Sequence, residues 1–530
     1  MKKFFVFVNS LVLVFSTVAF FTVKTHAAGT VIDVGPGGSI ATAVAGASDG
    51  DTIRVAAGNY LEVNAITPAV SNLTIEGAGA STTTVENDTV DVFSIIGGNE
   101  VRNLIIKGFT IKERADGYGI ECNMTTGHAL GIISDNIING EGLSGNNDNG
   151  IGLGNLCSFE VKDNQITDNI MGVIISNSNT ETNIIHDNTI AGNGMGLFAV
   201  SAVAGTVTNS IYHNKINGNL AGLFLANTTA SVYNNKIYEN NAGEAPFNPF
   251  FSAESLVQIY ANQIYQNRSL LGSGLFLLSS AAGSNVYNNY IAQNSTTIGP
   301  GGGIMSYEDS TPIFNNTIVN NTATLGTLPE SLHPFEIKLE DADLQKKTDD
   351  LLQGVQDKIT EISGEAHVSA SDGLGGGIFV QEGGYAPPAF YNNIVFGNVG
   401  DNISDVSGTM SVTYSDVEGG YTGTGNISTD PRLTGYVLGD NSPCIDTGTA
   451  TGAPSDDIDG TARPQRGGID IGAYELPAPA VAEATATAAA TLPETGASGN
   501  NQSLFLALMV VSALGLIFTF AGSGFSKIRK

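Results

Sequence analysis

The stretch VYNNKIYENN, residues 232–241, puts asparagine pairs on both sides of a Lys-Ile-Tyr step, and the same phrase recurs along the chain. Aligned on Asn-x-Ile, it returns at Asn103, Asn136, Asn164, Asn188, Asn214, Asn235, Asn262, Asn289, Asn316 and Asn392. From Asn136 to Asn316 the steps are 28, 24, 26, 21, 27, 27 and 27 residues. From Asn164 onward each unit adds an asparagine five positions later: Asn169, Asn193, Asn219, Asn240, Asn267, Asn294 and Asn321. A near-constant period of this length signals a solenoid. Most units also carry a glycine entering an apolar run, as in MGVII, MGLFAV, AGLFLA, SGLFLL and GGGIFV. Short β-branched runs between Asn and Gly corners exclude helical repeats, and the leucine framework of leucine-rich repeats is missing.

The predicted fold is all-β: a parallel β-helix, with coils about 4.8 Å apart and roughly a dozen of them making a rod on the order of 60 Å. The isoleucine of each phrase points inward, and its Lys and Tyr neighbours point out. Asparagine tolerates the left-handed backbone of a sharp corner. Its amide can also bond to its copies in the coils above and below. This turn chemistry accounts for the residue type without invoking a polar surface for ice, sugar or ions.

Composition agrees with that fold. The 530 residues include 66 glycines, with 42% hydrophobic and 14% charged residues, which is too apolar for disorder and too rich in turn-formers for a bundle. The net charge of −29 excludes the basic face that nucleic-acid binding needs. Of three cysteines, Cys122 and Cys157 are near enough in sequence to share adjacent coils, as a disulfide or as two buried thiols. No C-x-x-C pair exists, so a zinc ribbon is excluded.

Both ends read as addresses. Residues 1–27 carry Lys2 and Lys3, an apolar run and a small-residue cleavage site, the pattern of a secretory signal, with an uncleaved anchor as the alternative. Residues 476–491 form an Ala/Pro/Thr spacer. LPETG follows at 492–496, then an apolar segment at 504–521, about long enough to span a membrane, and a basic tail with Lys527, Arg529 and Lys530. These three parts resemble the sorting signal of sortase-anchored bacterial surface proteins. That resemblance implies cleavage between Thr495 and Gly496 and attachment of Thr495 to the cell envelope; unprocessed, the segment remains a transmembrane anchor. Loss of both ends removes six bases and no acid, taking the charge from −29 to about −35.

The body is expected over residues 28–475. A cap at 30–80 opens with a short helix-like pattern, SIATAVAGASDGDTIRV, and LTIEGAG follows at 73–79. These coils resemble the opening of pectin-lyase-like right-handed β-helix proteins, which implies that hand; the family holds lyases, hydrolases, esterases, epimerases and members without known chemistry. A second cap is expected at 440–475. Its motif DDIDGTARPQRGGIDIGAYE, residues 456–475, resembles the terminal motif of choice-of-anchor Q proteins. Arg463 can pair there with Asp470 or Glu475, while Ile469, Ile471 and Tyr474 can plug the open end. Asp456, Asp457 and Asp459 offer hard oxygen ligands for Ca2+, although EF-hand spacing is absent.

Interruptions of a repeat are where function is sought. Loops swell at 241–255, 295–301 and 322–374, all just after the second asparagine. In the last, Leu344, Leu351, Val355, Ile359 and Ile362 recur at helical spacing, predicting an amphipathic helix over residues 339–363. Phe247, Phe250 and Phe251 either pack against that helix or flank a ligand groove as platforms for sugar rings. The densest cluster of catalytic residue types, KGFTIKERADGYGIEC at 107–122, offers Lys112, Arg114, Asp116 and Glu121. A lyase needs a base and a cationic pocket, and a hydrolase needs two carboxylates about 5–9 Å apart. The Gly-His-Gly motif of polygalacturonases and the Asp-Pro-His-Glu motif of alginate epimerases are missing, and the six histidines show no metal spacing. The sequence therefore points to an exported, envelope-anchored module for glycan binding or adhesion. The alternative is a polysaccharide lyase or glycoside hydrolase that acts on acidic extracellular polysaccharide at residues 107–121.

Overall fold

The computed structural model describes residues 29–113, 117–140, 148–177, 181–201, 208–241, 248–324, 326 and 374–479, together with Gln345, Lys346, Asp349, Asp350, Gln353, Gly354 and Asp357. The signal at 1–27, most of the spacer, Thr495, Gly496 and the apolar segment 504–521 lie outside the described residues. The chain divides into two units after Ala478. Among the described residues no helix is long and apolar enough to cross a membrane.

The first unit is a right-handed parallel β-helix whose coils contribute to three parallel sheets of 14, 13 and 11 strands. One coil shows the plan. Thr229–Tyr233 lies in the first sheet, Lys236–Tyr238 in the second and Phe250–Ala253 in the third. Each strand pairs with its counterpart one coil away, so like stacks on like. In the second sheet Ile166, Ile190, Ile216, Ile237, Ile264, Ile291 and Ile318 are in register and fully buried. The period-2 alternation of a strand makes this column, and the exposed Lys236 beside Ile237 shows the opposite face. At about 4.8 Å per step, the 14 strands of the first sheet extend for roughly 60 Å.

The repeated asparagines form two hydrogen-bonded columns. In the first, the Nδ2 of each residue from Asn136 to Asn316 donates to the Oδ1 of the next rung at 3.0–3.1 Å, ending on Asn393. The second runs from Asn169 to Asn398 at 2.9–3.0 Å. These residues are the rungs, but they are not the left-handed corners. That conformation falls on the residue before each rung: Asp135, Asp163, Asp187, His213, Asn234, Ala261, Asn288, Asn315 and Asn392, with φ of 51–56°. Two neighbouring residues divide a task that the sequence reading assigned to one. Asn392 is thus a corner, and its neighbour Asn393 is the rung. Asn103 lies outside both columns, in the strand Val101–Lys107, where its amide donates to Asn72.

The recurrent glycines are required by close approach between coils. A Cβ at Gly196 would lie 2.6 Å from the carbonyl oxygen of Gly222, and one at Gly222 would lie 2.5 Å from that of Pro249. At the start of the chain, the helix Ile40–Ala45 is capped by Ser39, whose hydroxyl accepts from the Thr42 amide, and it buries Ile40 and Val44 over the first coils. Cys122 and Cys157 form a disulfide inside the coil stack, between a third-sheet and a first-sheet strand.

The C-terminal motif differs from expectation. Ile471 and Tyr474 do not plug the end of the stack. They pack with Ala292 and Val319 on the outside of the second sheet. The last coil is closed by Met410, Val412 and Val417, with Tyr421 packed against them. Residues 440–476 therefore work as a lateral clip. The swollen loops do leave one corner: Asn241, Arg268, Ser295, Thr322 and Val399 are bridged in sequence along it.

Candidate functional site

The corner between the first and second sheets carries a broad groove whose walls come from separate parts of the chain. Its floor begins with a ladder of rings. Seven consecutive first-sheet strands end on an outward ring just before the corner, so strand register stacks His186, Tyr212, Tyr233, Tyr260, Tyr287, Phe314 and Tyr391 in one file. Ring centroids are 4.7–5.1 Å apart, and the planes lie within 11° of parallel. This spacing is the coil pitch. Because the faces are spent on each other, the groove is offered ring edges and phenol hydroxyls. Burial raises the Tyr260 and Tyr287 phenols above their ordinary pKa, so they remain neutral hydroxyls at physiological pH.

The clip builds the facing wall. Asn288 donates to the Asp456 carbonyl at 2.5 Å and Tyr391 to that of Gly452 at 3.1 Å. Asn392 both donates to and accepts from Thr449 at 2.8 Å. The corner residues thus grip the clip with the side chains that their left-handed backbone turns outward. Arg463 holds the clip from within. Its fully buried guanidinium sits 2.8 Å from Glu475 and also donates to the carbonyls of Asp470 and Gly472. Burial lowers the Arg463 pKa from its usual value, and the Glu475, Asp457 and Asp470 carboxylates oppose that shift. Burial pushes the Asp470 carboxyl up to about 6.

Between ladder and clip lies a groove of about 900 Å³. Tyr260, Tyr287 and Phe314 line the floor with the amide side chains Gln258, Gln263, Asn285 and Asn288; His213 and Lys236 stand on the coil side, and Asp456, Asp457 and Asp459 on the clip side. The three aspartates are thus brought to one wall, but not as a cation site. The Asp457 carboxylate accepts the amides of Asp459, Thr461 and Glu475 at 2.7–2.9 Å. Asp459 accepts from the Tyr436 hydroxyl at 2.9 Å. Among the described residues no group of three or more His, Cys, Asp or Glu is placed to hold a metal. Turn amides take both Asp457 oxygens, while the Asp456 carboxylate accepts from the Ser455 hydroxyl, so the three carboxylates expected to hold calcium are engaged separately.

Of the other expected residues, Lys112 and Glu121 do not converge. Lys112 lies in the second-sheet strand Thr110–Glu113, its amine 3.7 Å from Glu86. Glu121 lies in the third-sheet strand Tyr118–Met124 and is buried. The coil turns between them and puts them on different faces. Arg114 and Asp116 lie outside the described residues, as does Phe247. Phe250 is in the interior core, and Phe251 is covered on the outside of the third sheet. Neither offers a face to a sugar. The groove itself escaped the sequence reading, yet its signal was present. The repeat column SIYHN, SVYNN, QIYAN, NVYNN and PIFNN shows an aromatic just ahead of each corner. The return of the clip to those corners has no such signature.

No curated protein matches this chain. Among solved structures, the A-module of mannuronan C-5 epimerase AlgE6 from Azotobacter vinelandii is similar at 14% identity and a TM-score of 0.44, covering 72% of this chain and 91% of its own. Pectate lyase Pel9A is similar at 12% identity and a TM-score of 0.39, covering 85% of this chain and 97% of its own. At these identities no residue role carries over. Residues 183–323 match the family described as right handed beta helix region.

Proposed function

We propose that this protein is an exported, envelope-anchored rod that binds polysaccharide in the groove between the tyrosine ladder and the C-terminal clip, without altering it chemically. The groove carries the reading: it offers a row of apolar ring edges interleaved with amide and phenol groups, the combination that suits sugar rings and their hydroxyls. Asp456, Asp457 and Asp459 make one wall acidic, and the chain carries −29 overall, so neutral or amine-bearing polysaccharides are favoured over uronates. The separation of Lys112 from Glu121 weighs against catalysis at residues 107–121. Export is supported by the signal-like residues 1–27 and by the disulfide, which persists in an oxidising compartment. Anchoring rests on LPETG with Thr495 and Gly496, the apolar segment 504–521 as its membrane span, and the basic tail. In this reading the 322–374 insertion carries a helix over residues 339–363.

Affinity electrophoresis of the secreted protein in gels containing neutral, amine-bearing or uronate polysaccharide tests the proposal. Retardation is expected in the first two and is expected to weaken in Tyr260→Ala and Gln258→Ala. Retardation by uronates alone, or unchanged retardation in both variants, refutes the groove as the site. Release of reducing or unsaturated ends refutes binding without turnover.

A further inference from the structure

Four of the six described lysines stand beside a carboxylate: Lys107 at 3.1 Å from Glu76, Lys112 at 3.7 Å from Glu86, Lys162 at 3.0 Å from Glu160 and Lys346 at 3.2 Å from Asp350. Lys215 and Lys236 pair with none among the described residues. In a chain with 51 acids against 22 bases, a lysine pair left without a carboxylate needs a reason. The two are in register on adjacent second-sheet strands, and both are exposed. Like charges directly opposite on paired strands repel, so the pair is unfavourable by itself. An amide stands beside it. The left-handed corner column turns the Asn288, Asn315 and Asn392 amides outward, where they donate to the clip carbonyls of Asp456 at 2.5 Å, Asp470 at 3.4 Å and Thr449 at 2.8 Å. Asn234 holds the same corner position with φ of 56°, yet it is exposed and no described group bonds its amide. Asp187, two corners away, bonds His186 at 2.7 Å and lies 3.9 Å from His213. Asn234 and Lys236 line the groove, and Lys215 continues them by one coil.

We propose that Lys215, Lys236 and the Asn234 amide form a site for an acidic group of the bound polysaccharide, whose repeat therefore carries both an acid and an amine. This rests on the groove as the polysaccharide site and names the chemistry of its ligand. Phosphate and carboxylate are the acids that fit, since ammonium and amide N–H groups both donate to a compact oxyanion. The opposite wall sets the second charge. Asp456 accepts the Ser455 hydroxyl at 2.8 Å and Asp459 accepts the Tyr436 hydroxyl at 2.9 Å, and an ionised carboxylate has room for further donors. That wall is held over the coil of Asn288 and Tyr290, by the bond from Asn288 to Asp456 and by the packing of Tyr436 on Tyr290. Lys236 lies two coils away, because Lys236, Gln263 and Tyr290 are in register. Two coil steps place the opposite charges about 10 Å apart along the rod. A polymer bearing acids alone is repelled by the aspartates, and one bearing amines alone is repelled by the lysines. A ligand with both, spaced along its length, satisfies each wall.

The test compares three polymers of one backbone by affinity electrophoresis of the secreted protein: chitosan, carboxymethyl chitosan and phosphorylated chitosan. Apparent affinity for at least one substituted polymer is expected to exceed that for chitosan about threefold to tenfold, the scale of two exposed charge pairs. The larger gain identifies the acid. Lys215→Gln with Lys236→Gln should bring that ratio to about one, and Asn234→Ala should lower it partway. Lys107→Gln with Lys162→Gln removes the same charge elsewhere and should leave the ratio as in the parent. No gain with either substituted polymer, or an equal fall in the two double-lysine variants, overturns the proposal. Tyr260→Ala separates this outcome from the groove reading. Weaker binding of all three polymers supports the groove. Unchanged binding, with the ratio still set by Lys215 and Lys236, refutes the groove and leaves the acid site standing outside it.

Discussion

Asn262 offers the sharpest test of the rung columns. Its fully buried amide donates to Asn289 Oδ1 at 3.0 Å, to the Val232 carbonyl at 2.8 Å and to the Tyr260 carbonyl at 3.0 Å. Its Oδ1 accepts from both the backbone amide and the Nδ2 of Asn235 at 3.0 Å. Asn262→Ala removes all of these at once. Asn289 Oδ1 keeps the Asn262 backbone amide, and Asn235 Nδ2 keeps Ile211 and Tyr233, so both are only weakened. The Asn235 backbone N–H loses the acceptor it has, in a place water does not reach. One buried orphan costs about 1–3 kcal/mol, and each weakened neighbour adds a few tenths. The expected loss is about 3 kcal/mol. Asn262→Asp should cost more, because a buried carboxylate would then face the Val232 carbonyl and Asn289 Oδ1. Gln263→Ala, one residue away on the outer surface, should stay within about 0.5 kcal/mol. Urea unfolding reads the total, and amide exchange should show the loss concentrated in the coils flanking Asn262, since a solenoid couples only near neighbours. A loss at Asn262 no larger than that at Gln263 would show that the columns follow from coil stacking and do not support it.

Three further outcomes follow from the same geometry. Gly222→Ala brings a methyl to 2.5 Å from the Pro249 carbonyl and 2.9 Å from Asn240 Nδ2; a destabilisation of about 1–3 kcal/mol is expected in urea titration, and a neutral result would refute the close approach. Burial raises the Asp470 carboxyl from 3.8 to about 6, so it contributes fully below pH 3.8 and loses about 3 kcal/mol as pH rises to about 6. Unfolding measured at pH 4 and pH 7 should therefore show a smaller difference in Asp470→Asn than in the parent, and equal differences would sink the assignment. Replacing both Cys122 and Cys157 by serine releases a crosslink between positions 35 apart and should cost about 4 kcal/mol of stability on the chain-entropy account; an unchanged melting temperature would contradict it.

The solenoid was legible because a coil repeats its needs. Most turns require an inward isoleucine, two rungs and a glycine where backbones nearly touch, so a period in sequence maps directly onto a period in space. The same logic explains where the reading slipped. Asn392-x-Ile394 and Asn393 both carry asparagine, and spacing alone does not say which is corner and which is rung; the left-handed φ of Asn392 decides it. Phe250 and Phe251 look alike in sequence, yet strand alternation sends one into the core and the other to the outside of the third sheet. Asp456, Asp457 and Asp459 read as oxygen ligands until the turn they form was seen to occupy the Asp457 carboxylate with three amides.

By itself the sequence determined the coil, its pitch and its core column, since all of these are local and repeated. Only the tertiary structure decided the pairing of Cys122 with Cys157, the lateral docking of residues 440–476 and the groove this creates. Those depend on single, long-range meetings, such as Asn288 with Asp456 or Asn392 with Thr449, 168 and 57 residues apart along the chain. A meeting that happens once leaves no period to read, and its energy comes from buried partners that no local pattern announces.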